Sequence, residues 1–365
     1  MPHIPPDAIF RYAPTCGVLE LRYFWKKNLE MKNPSLETCS TPIVVAGITH
    51  GLSLSAQLFC DPSDVVLINE YGWDNYHGMF QQLVDADVRA VKTVDLQENE
   101  VKYDLMAYIT SMQKIPTLTK TILVLNLPLN PLGYMSSVLE VEHFAAALKM
   151  EADKGRSLVV ICDDAYVGCI HEKSDVCYQE SIFAMMSNLH VNILAVKVDG
   201  ISKEDFAWGL RVGFVTFGIK HPSAHTLYSN LETKCATYLR CSVSNINHAT
   251  QSLLLASYRS SEYAIQKQVI LGDLHAKYDR VVQLMTQHQE ELLVHYTILP
   301  FNSGFFFCLH PKRNHTSITT LRHAFLQAGL GIVTIGPLLR ICYATIPLSK
   351  LDTLFEILVH VPSII

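Results

Sequence analysis

The stretch Val198-Asp199-Gly200-Ile201-Ser202-Lys203-Glu204-Asp205-Phe206-Ala207-Trp208-Gly209-Leu210-Arg211-Val212-Gly213-Phe214 decides how the rest of the chain is read. An apolar run over 192–198 has the character of a buried strand and stops at Asp199-Gly200. A second apolar run, 212–217, begins just after Arg211. Lys203 and Arg211 stand between these two core strands, where a charge costs free energy unless something pairs with it. Two readings follow. In one, the segment is a surface loop whose Lys203 and Arg211 pair with Glu204 and Asp205. In the other, the two cations serve a ligand.

Composition narrows the choice. At 365 residues the chain can bury a large core and build two domains. Hydrophobic residues make up 49% and charged ones 17%, so most segments are expected inside. A net charge of −5 and a pI near 6.3 leave no basic footprint for nucleic acid. The ten cysteines contain no C-x-x-C pair, and the start carries no leader pattern. They read as reduced thiols of a cytoplasmic protein. No apolar run reaches the roughly 18 residues of a membrane span.

Working outward, residues 1–15 are proline-rich and 19–29 look helical. A short strand at 42–45 leads through Gly47-Ile48-Thr49-His50-Gly51 into a helix ending near 59. A strand at 64–68 precedes Tyr71-Gly72-Trp73-Asp74-Asn75-Tyr76 and another helix. Strand 121–125, the turn Asn130-Pro131-Leu132-Gly133, a helix over 138–152 and strand 158–162 follow, the last ending at Asp163-Asp164-Ala165-Tyr166. Strands alternating with helices predict a mostly parallel sheet covered on both faces. From 252 to 293 long helices take over. Short strands at 297–301, 305–309 and 339–344 and a helix near 317–328 then form an α+β segment of their own. The expected division is an N-terminal remnant over 1–10, a large α/β domain over 11–252 and a small domain over 253–365.

Ligands of open α/β sheets sit beyond the carboxyl ends of strands, and each unusual residue above lies at such an end. Singly, each has an ordinary explanation. Asp163 could cap a helix, Asn-Pro-x-Gly is common turn chemistry, and Trp73 could be core. Taken together and in order, Ser202-Lys203 with Gly209-x-Arg211-x-Gly213, Asp163-x-Ala165-Tyr166, Asn130-Pro131-x-Gly133 and Trp73-x-Asn75-Tyr76 resemble the fold type I pyridoxal phosphate (PLP) enzymes. The specific resemblance is to class I/II aminotransferases of the aspartate and aromatic kind, over essentially the whole chain.

The resemblance implies a role for each matched position. Lys203 holds the cofactor and moves the substrate's α-proton as general base and acid. Asp163 pairs with the pyridine nitrogen and keeps the ring an electron acceptor. Tyr166 and Asn130 bond the ring oxygen, and Trp73 stacks on the ring. Arg211 takes the phosphate, with Thr49, His50 and Gly51 at a helix start that favours anions. Tyr12 matches the tyrosine that reaches the phosphate of a neighbouring subunit's site. Arg340 grips the substrate α-carboxylate with its planar fork, approached through Asn302-Ser303-Gly304-Phe305. Arg240 matches an arginine lent across the dimer to a second carboxylate, or else it forms a surface salt bridge.

The sequence departs from the pattern at three side chains. Leu132 replaces the usual Thr, His50 stands where a hydroxyl is frequent, and Gly200 takes a place where some members carry Ser. The start is also short. Relatives carry several tens of residues before the part matching Tyr12, so either the start codon lies too far downstream or a lid segment is lost. The expected protein is a fold type I PLP-dependent transferase, a cytoplasmic homodimer with shared active sites and no nucleic-acid or membrane partner. It moves an amino group between an aromatic or acidic amino acid and a 2-oxo acid. The alternatives are a β-lyase or decarboxylase on the same residues, or a non-catalytic or impaired PLP-fold binding protein. His221 and His225 have helical metal spacing, but Pro222 and the lack of an acidic partner set a metal site aside.

Overall fold

The computed structural model describes residues 4–96, 101–312 and 317–363. Seven strands form one sheet: β1 (Ile43–Val45), β2 (Val65–Asn69), β3 (Asp87–Val91), β4 (Thr121–Asn126), β5 (Leu158–Asp163), β6 (Ile193–Gly200) and β7 (Gly213–Gly218). Their spatial order is β1-β7-β6-β5-β4-β2-β3. Neighbours from β3 to β6 run parallel, and β7 is antiparallel to both β6 and β1. Every residue of β2, β4, β5 and β7 is buried, because helices cover both faces. Leu123, Leu125 and Val160 pack on one face with Phe144 and Leu148 of helix Val138–Asp153. Ile122, Val124, Ile161 and Val198 pack on the other with Leu52 and Trp25. Each such aliphatic side chain contributes roughly 1.5–3 kcal/mol of burial.

Two stretches differ from the sequence expectation. β3 was not anticipated, since only Val91 of its five residues is buried. It is an edge strand blunted by the Arg89–Asp87 ion pair, so its composition carries no core signal. After Tyr76 the chain forms a short π-helix, His77–Gln82, rather than ordinary helix.

A second sheet holds β8 (Tyr296–Ile298), β9 (Phe306–Pro311), β10 (Val333–Ile335) and β11 (Leu338–Cys342), all antiparallel, in the order β10-β11-β9-β8. It shares a core with helices Ser261–Gln287, Ile318–Gln327 and Leu351–His360, through Tyr278, Phe325, Phe307, Leu339 and Phe355. The helical stretch expected over 252–293 is three helices, His248–Tyr258, Ser261–Gln287 and Gln289–His295.

Candidate active site

β6 and β7 converge at the register pair Gly200–Gly213, and β1 reaches Gly213 from the other side. A Cβ on Gly200 would lie 2.7 Å from the Gly213 Cα, and one on Gly213 would lie 2.7 Å from the Gly47 carbonyl carbon. The backbones at this sheet end therefore approach too closely for a side chain at either position. The same approach brings the start of helix Ile48–Phe59 beside the four-residue turn Ile201–Glu204 that carries Lys203.

Lys203 forms no hydrogen bond or ion pair with any described residue. Burial and the nearby Arg211 charge lower its pKa, while Asp163 opposes the shift. Glu204 pairs instead with Lys32 and, at 3.4 Å, with Lys267. Asp205 pairs with Lys267 at 2.7 Å. The surface-loop reading of Lys203 and Arg211 therefore fails.

Arg211 has left-handed backbone angles, φ 53° and ψ 52°, a conformation that costs a side-chain residue about 1–2 kcal/mol. That geometry lays its guanidinium against Gly47, where a Cβ would lie 2.5 Å from Nη2. Nη1 donates to the Trp208 carbonyl at 3.1 Å, leaving the rest of the fork toward the cavity side. Gly47, at φ 83°, follows β1 and is the N-cap of the helix. The amides of His50 and Gly51 turn back to the Gly47 carbonyl, at 3.1 and 3.2 Å. Those of Ile48 and Thr49 have no acceptor within the described chain, as expected for a first helical turn. Ile48 and Thr49 line the cavity. The His50 ring does not, because its Nδ1 accepts the Ala46 N–H at 3.0 Å. Nor does Gly51, which packs on the sheet where a Cβ would meet Val198 at 2.6 Å.

Asp163 ends β5 and is buried. The Tyr76 phenol donates to Oδ2 and the Ala165 N–H to Oδ1. No described cation pairs with it, and burial pushes its pKa up to about 6. Asn126, its partner across β4, donates to the Asp163 carbonyl at 2.9 Å and accepts the Asn130 N–H at 2.7 Å. Asn130 is thereby fixed over the sheet end. Tyr166 packs edge-on against Phe305 and Phe306, and burial raises its pKa, which keeps the phenol a donor. Trp73 meets Tyr76 edge-on at 5.7 Å.

Arg340 comes from β11, in the other sheet. Its Nη1 donates to Asn130 Oδ1 at 3.0 Å, and its guanidinium lies 5.0 Å from the Phe306 ring centroid. Its Nε is buried with no hydrogen-bond partner among the described residues. The result is a cavity of about 240 Å³ lined by Ile48, Thr49, Trp73, Asn126, Asn130, Asp163, Ala165, Tyr166, Ser202, Lys203, Arg211 and Arg340.

Besides His50 and Gly51, three expected residues lie off this wall. Asn302 is a strut: it exchanges hydrogen bonds with the Met135 N–H and carbonyl at 2.7 and 2.9 Å and bonds Ser303. Tyr12 is 85% exposed. Arg240 is exposed and bonds the Ser244 hydroxyl at 3.0 Å, its own helix end.

The sequence reading gave no role to Tyr76, Asn126 or Gly47. Asn126 ends β4, while Gly47 and Tyr76 lie in the segments that follow β1 and β2, and the partners of Asn126 and Tyr76 depend on sheet register. A buried ion cluster was also missed. Lys197 pairs with Asp164 and, at 3.4 Å, with Asp199, while Trp25 donates to Asp199 at 3.0 Å. It ties the ends of β5 and β6 together just behind Asp163.

The family profile described as "Aminotransferase class I and II" matches residues 7–358. No curated protein matches the chain in sequence. Among solved structures, an aminotransferase from Anaerococcus prevotii is 20% identical with a TM-score of 0.83, covering 98% of this chain and 84% of that one. An aromatic aminotransferase from Pyrococcus horikoshii is 19% identical with a TM-score of 0.76, covering 96% and 87%. An α-aminoadipate aminotransferase from Thermus thermophilus, solved with N-(5′-phosphopyridoxyl)-L-leucine, is 18% identical with a TM-score of 0.76, covering 98% and 85%. At these identities the structural likeness concerns the fold.

Proposed function

The chain belongs to the class I and II aminotransferases, and from that premise we propose that it uses PLP, held by Lys203, to transfer an amino group between an amino acid and a 2-oxo acid. One observation carries the reading. Among the described residues, a buried carboxylate without an ion pair, a lysine without a hydrogen bond and an arginine beside two free helix amides all border one cavity.

These residues fit the cofactor's chemistry. Arg211 with the Ile48 and Thr49 amides suits a phosphate, since backbone donors and a guanidinium both favour an anion. Asp163 has no ion pair among the described residues, and a protonated ring nitrogen would supply one. Asn130 spends Oδ1 on Arg340, leaving Nδ2 and the Tyr166 phenol to donate to the ring oxygen. Trp73 offers a ring face.

The bound cofactor supplies an electron sink for the carbanion left when the α-proton departs. The chain supplies the rest. Arg340 orients the substrate through its carboxylate, and Asn130 and Phe306 hold that guanidinium in place. Once the substrate's amine has displaced it from the cofactor, the Lys203 amine, with its lowered pKa, would take the α-proton and give it back at the neighbouring carbon. Asp163 stays anionic against the ring nitrogen, with Tyr76 and Ala165 holding its oxygens.

For the donor we favour an aromatic or acidic amino acid. Tyr166, Phe305 and Phe306 cluster beside Arg340, which suits a ring. The cavity's cations among the described residues are Lys203, Arg211 and Arg340, so a second substrate carboxylate calls on Arg240 of another copy. The exposed Tyr12 and Arg240 fit a homodimer with shared sites. Steady-state rates with Phe, Tyr, Asp, Glu and Ala test the preference. Equal rates with Ala and Phe, or none with Asp and Phe, would overturn it.

A further inference from the structure

The turn that carries Lys203 is too short to hold itself in place. Ile201–Glu204 is four residues with no side-chain N-cap, and an isolated helical turn is unstable. Its C-terminal end is gripped from outside. Asp205 closes the turn by donating its N–H to the Ile201 carbonyl at 3.1 Å. Its carboxylate, 4% exposed, accepts three further bonds: from Tyr258 at 2.6 Å, Tyr263 at 2.6 Å and Lys267 at 2.7 Å. Lys267 also reaches Glu204 at 3.4 Å, and Glu204 pairs with Lys32 of helix Leu19–Lys32.

Two of these donors belong to helix Ser261–Gln287. Farther along, the same helix is part of the four-stranded sheet's core. Leu274, Tyr278 and Val281 pack with Phe307, Leu339 and Ile341, and Lys277 donates to the Ala344 carbonyl at 3.1 Å. Arg340 lies between Leu339 and Ile341 on β11. A second link runs through Phe206, at φ 55°, whose ring stacks 6.0 Å from Phe305, just before β9. The Lys203 turn is thus fastened to the part of the molecule that supplies the substrate-gripping arginine.

We propose that Asp205 is a positioning residue that couples helix Ser261–Gln287, and with it the Arg340 sheet, to the turn bearing Lys203. A shift of that sheet toward the cavity pulls on Tyr263 and Lys267, and through Asp205 it moves the lysine's backbone. A cluster of ion pairs that served stability alone would have no reason to end on this turn. The consequence for catalysis rests on Lys203 being the cofactor-bearing residue. The test reads the turn itself, so the two ideas can fail separately.

The experiment uses the full chain without added cofactor and follows amide hydrogen exchange by mass spectrometry. The pH dependence of Lys203 acylation by limiting acetic anhydride is measured beside it. Asp205→Asn is expected to speed exchange over residues 201–207 by about tenfold while helix Val138–Asp153 exchanges as before. The acylation profile of Lys203 should move to higher pH as the amine gains water and leaves Arg211. Tyr263→Phe and Lys267→Met act from the helix side and should shift both readouts in the same direction by smaller amounts; they keep the test open if Asp205→Asn folds poorly. Unchanged exchange over 201–207 in all three variants would overturn the proposal. So would faster exchange in which helix Val138–Asp153 rises in parallel, because that pattern marks a stability role alone.

Discussion

Arg340 donates to Asn130 across 210 positions of sequence, at 3.0 Å, and so joins the four-stranded sheet to a turn at the end of the seven-stranded one. The contact aims a guanidinium that also rests against the Phe306 ring. Asn130→Ala should loosen it. A hydrogen bond to a charged group is worth about 1.5–3 kcal/mol, so kcat/KM for the amino donor is expected to fall roughly 10- to 150-fold. Arg340→Lys should not restore a wild-type value, because an ammonium cannot bond a carboxylate with two parallel donors. Steady-state kinetics on both variants checks this.

Gly47 leaves room for Arg211. Gly47→Ala places a methyl 2.5 Å from Nη2 and strains a backbone at φ 83°. PLP affinity, followed by titrating the cofactor-free protein, should fall at least about tenfold as the guanidinium is displaced. Gly155→Ala is the control. Its φ of 92° is equally unfavourable but nothing lies within 4 Å. It should cost about 1 kcal/mol of stability and leave PLP affinity alone.

Asp163 makes the cofactor-free protein pH-sensitive. Its pKa is pushed up to about 6 by burial, from an ordinary 3.8. Between those values the folded state holds more protons than the unfolded one, so stability falls as pH rises through the window. The contribution is fully present below about 3.8 and lost above about 6, on the order of 2–3 kcal/mol. Urea unfolding of the cofactor-free protein should lose more stability from pH 4.5 to 7.5 than Asp163→Asn does. Identical losses would show that the carboxylate is not destabilised by its site.

Lys197 pairs with two buried carboxylates, Asp164 and Asp199. Lys197→Met should leave them unpaired and cost about 3–5 kcal/mol of stability. Urea unfolding at neutral pH measures the loss, and a change within about 0.5 kcal/mol would contradict the structural account of this cluster.

What could be read in the sequence follows from what is local. β4, β5 and β7 are buried on both faces, so they stand out as unbroken apolar runs. The turn after Gly200 stands out because charge interrupts two such runs. β3 did not, since four of its five residues face water or lie half-exposed. Lys197 was lost inside an apolar run because its partners come from just past β5 and from two residues along its own strand. His50 and Asn302 were placed by position in a motif, yet their side chains are committed elsewhere, to Ala46 and to Met135. The Tyr76–Asp163 contact spans 87 residues and exists only once the sheet order is set. Residue types at strand ends locate a site; register and side-chain direction assign the work.

The central claim is that Lys203 holds PLP for amino transfer. The most direct test is the visible spectrum of the purified protein with PLP, before and after adding Tyr, Phe, Asp or Glu, beside Lys203→Ala. A yellow band that requires Lys203 and bleaches with an amino donor is the expected result. A band that persists in Lys203→Ala, or that none of the donors bleaches, would contradict it.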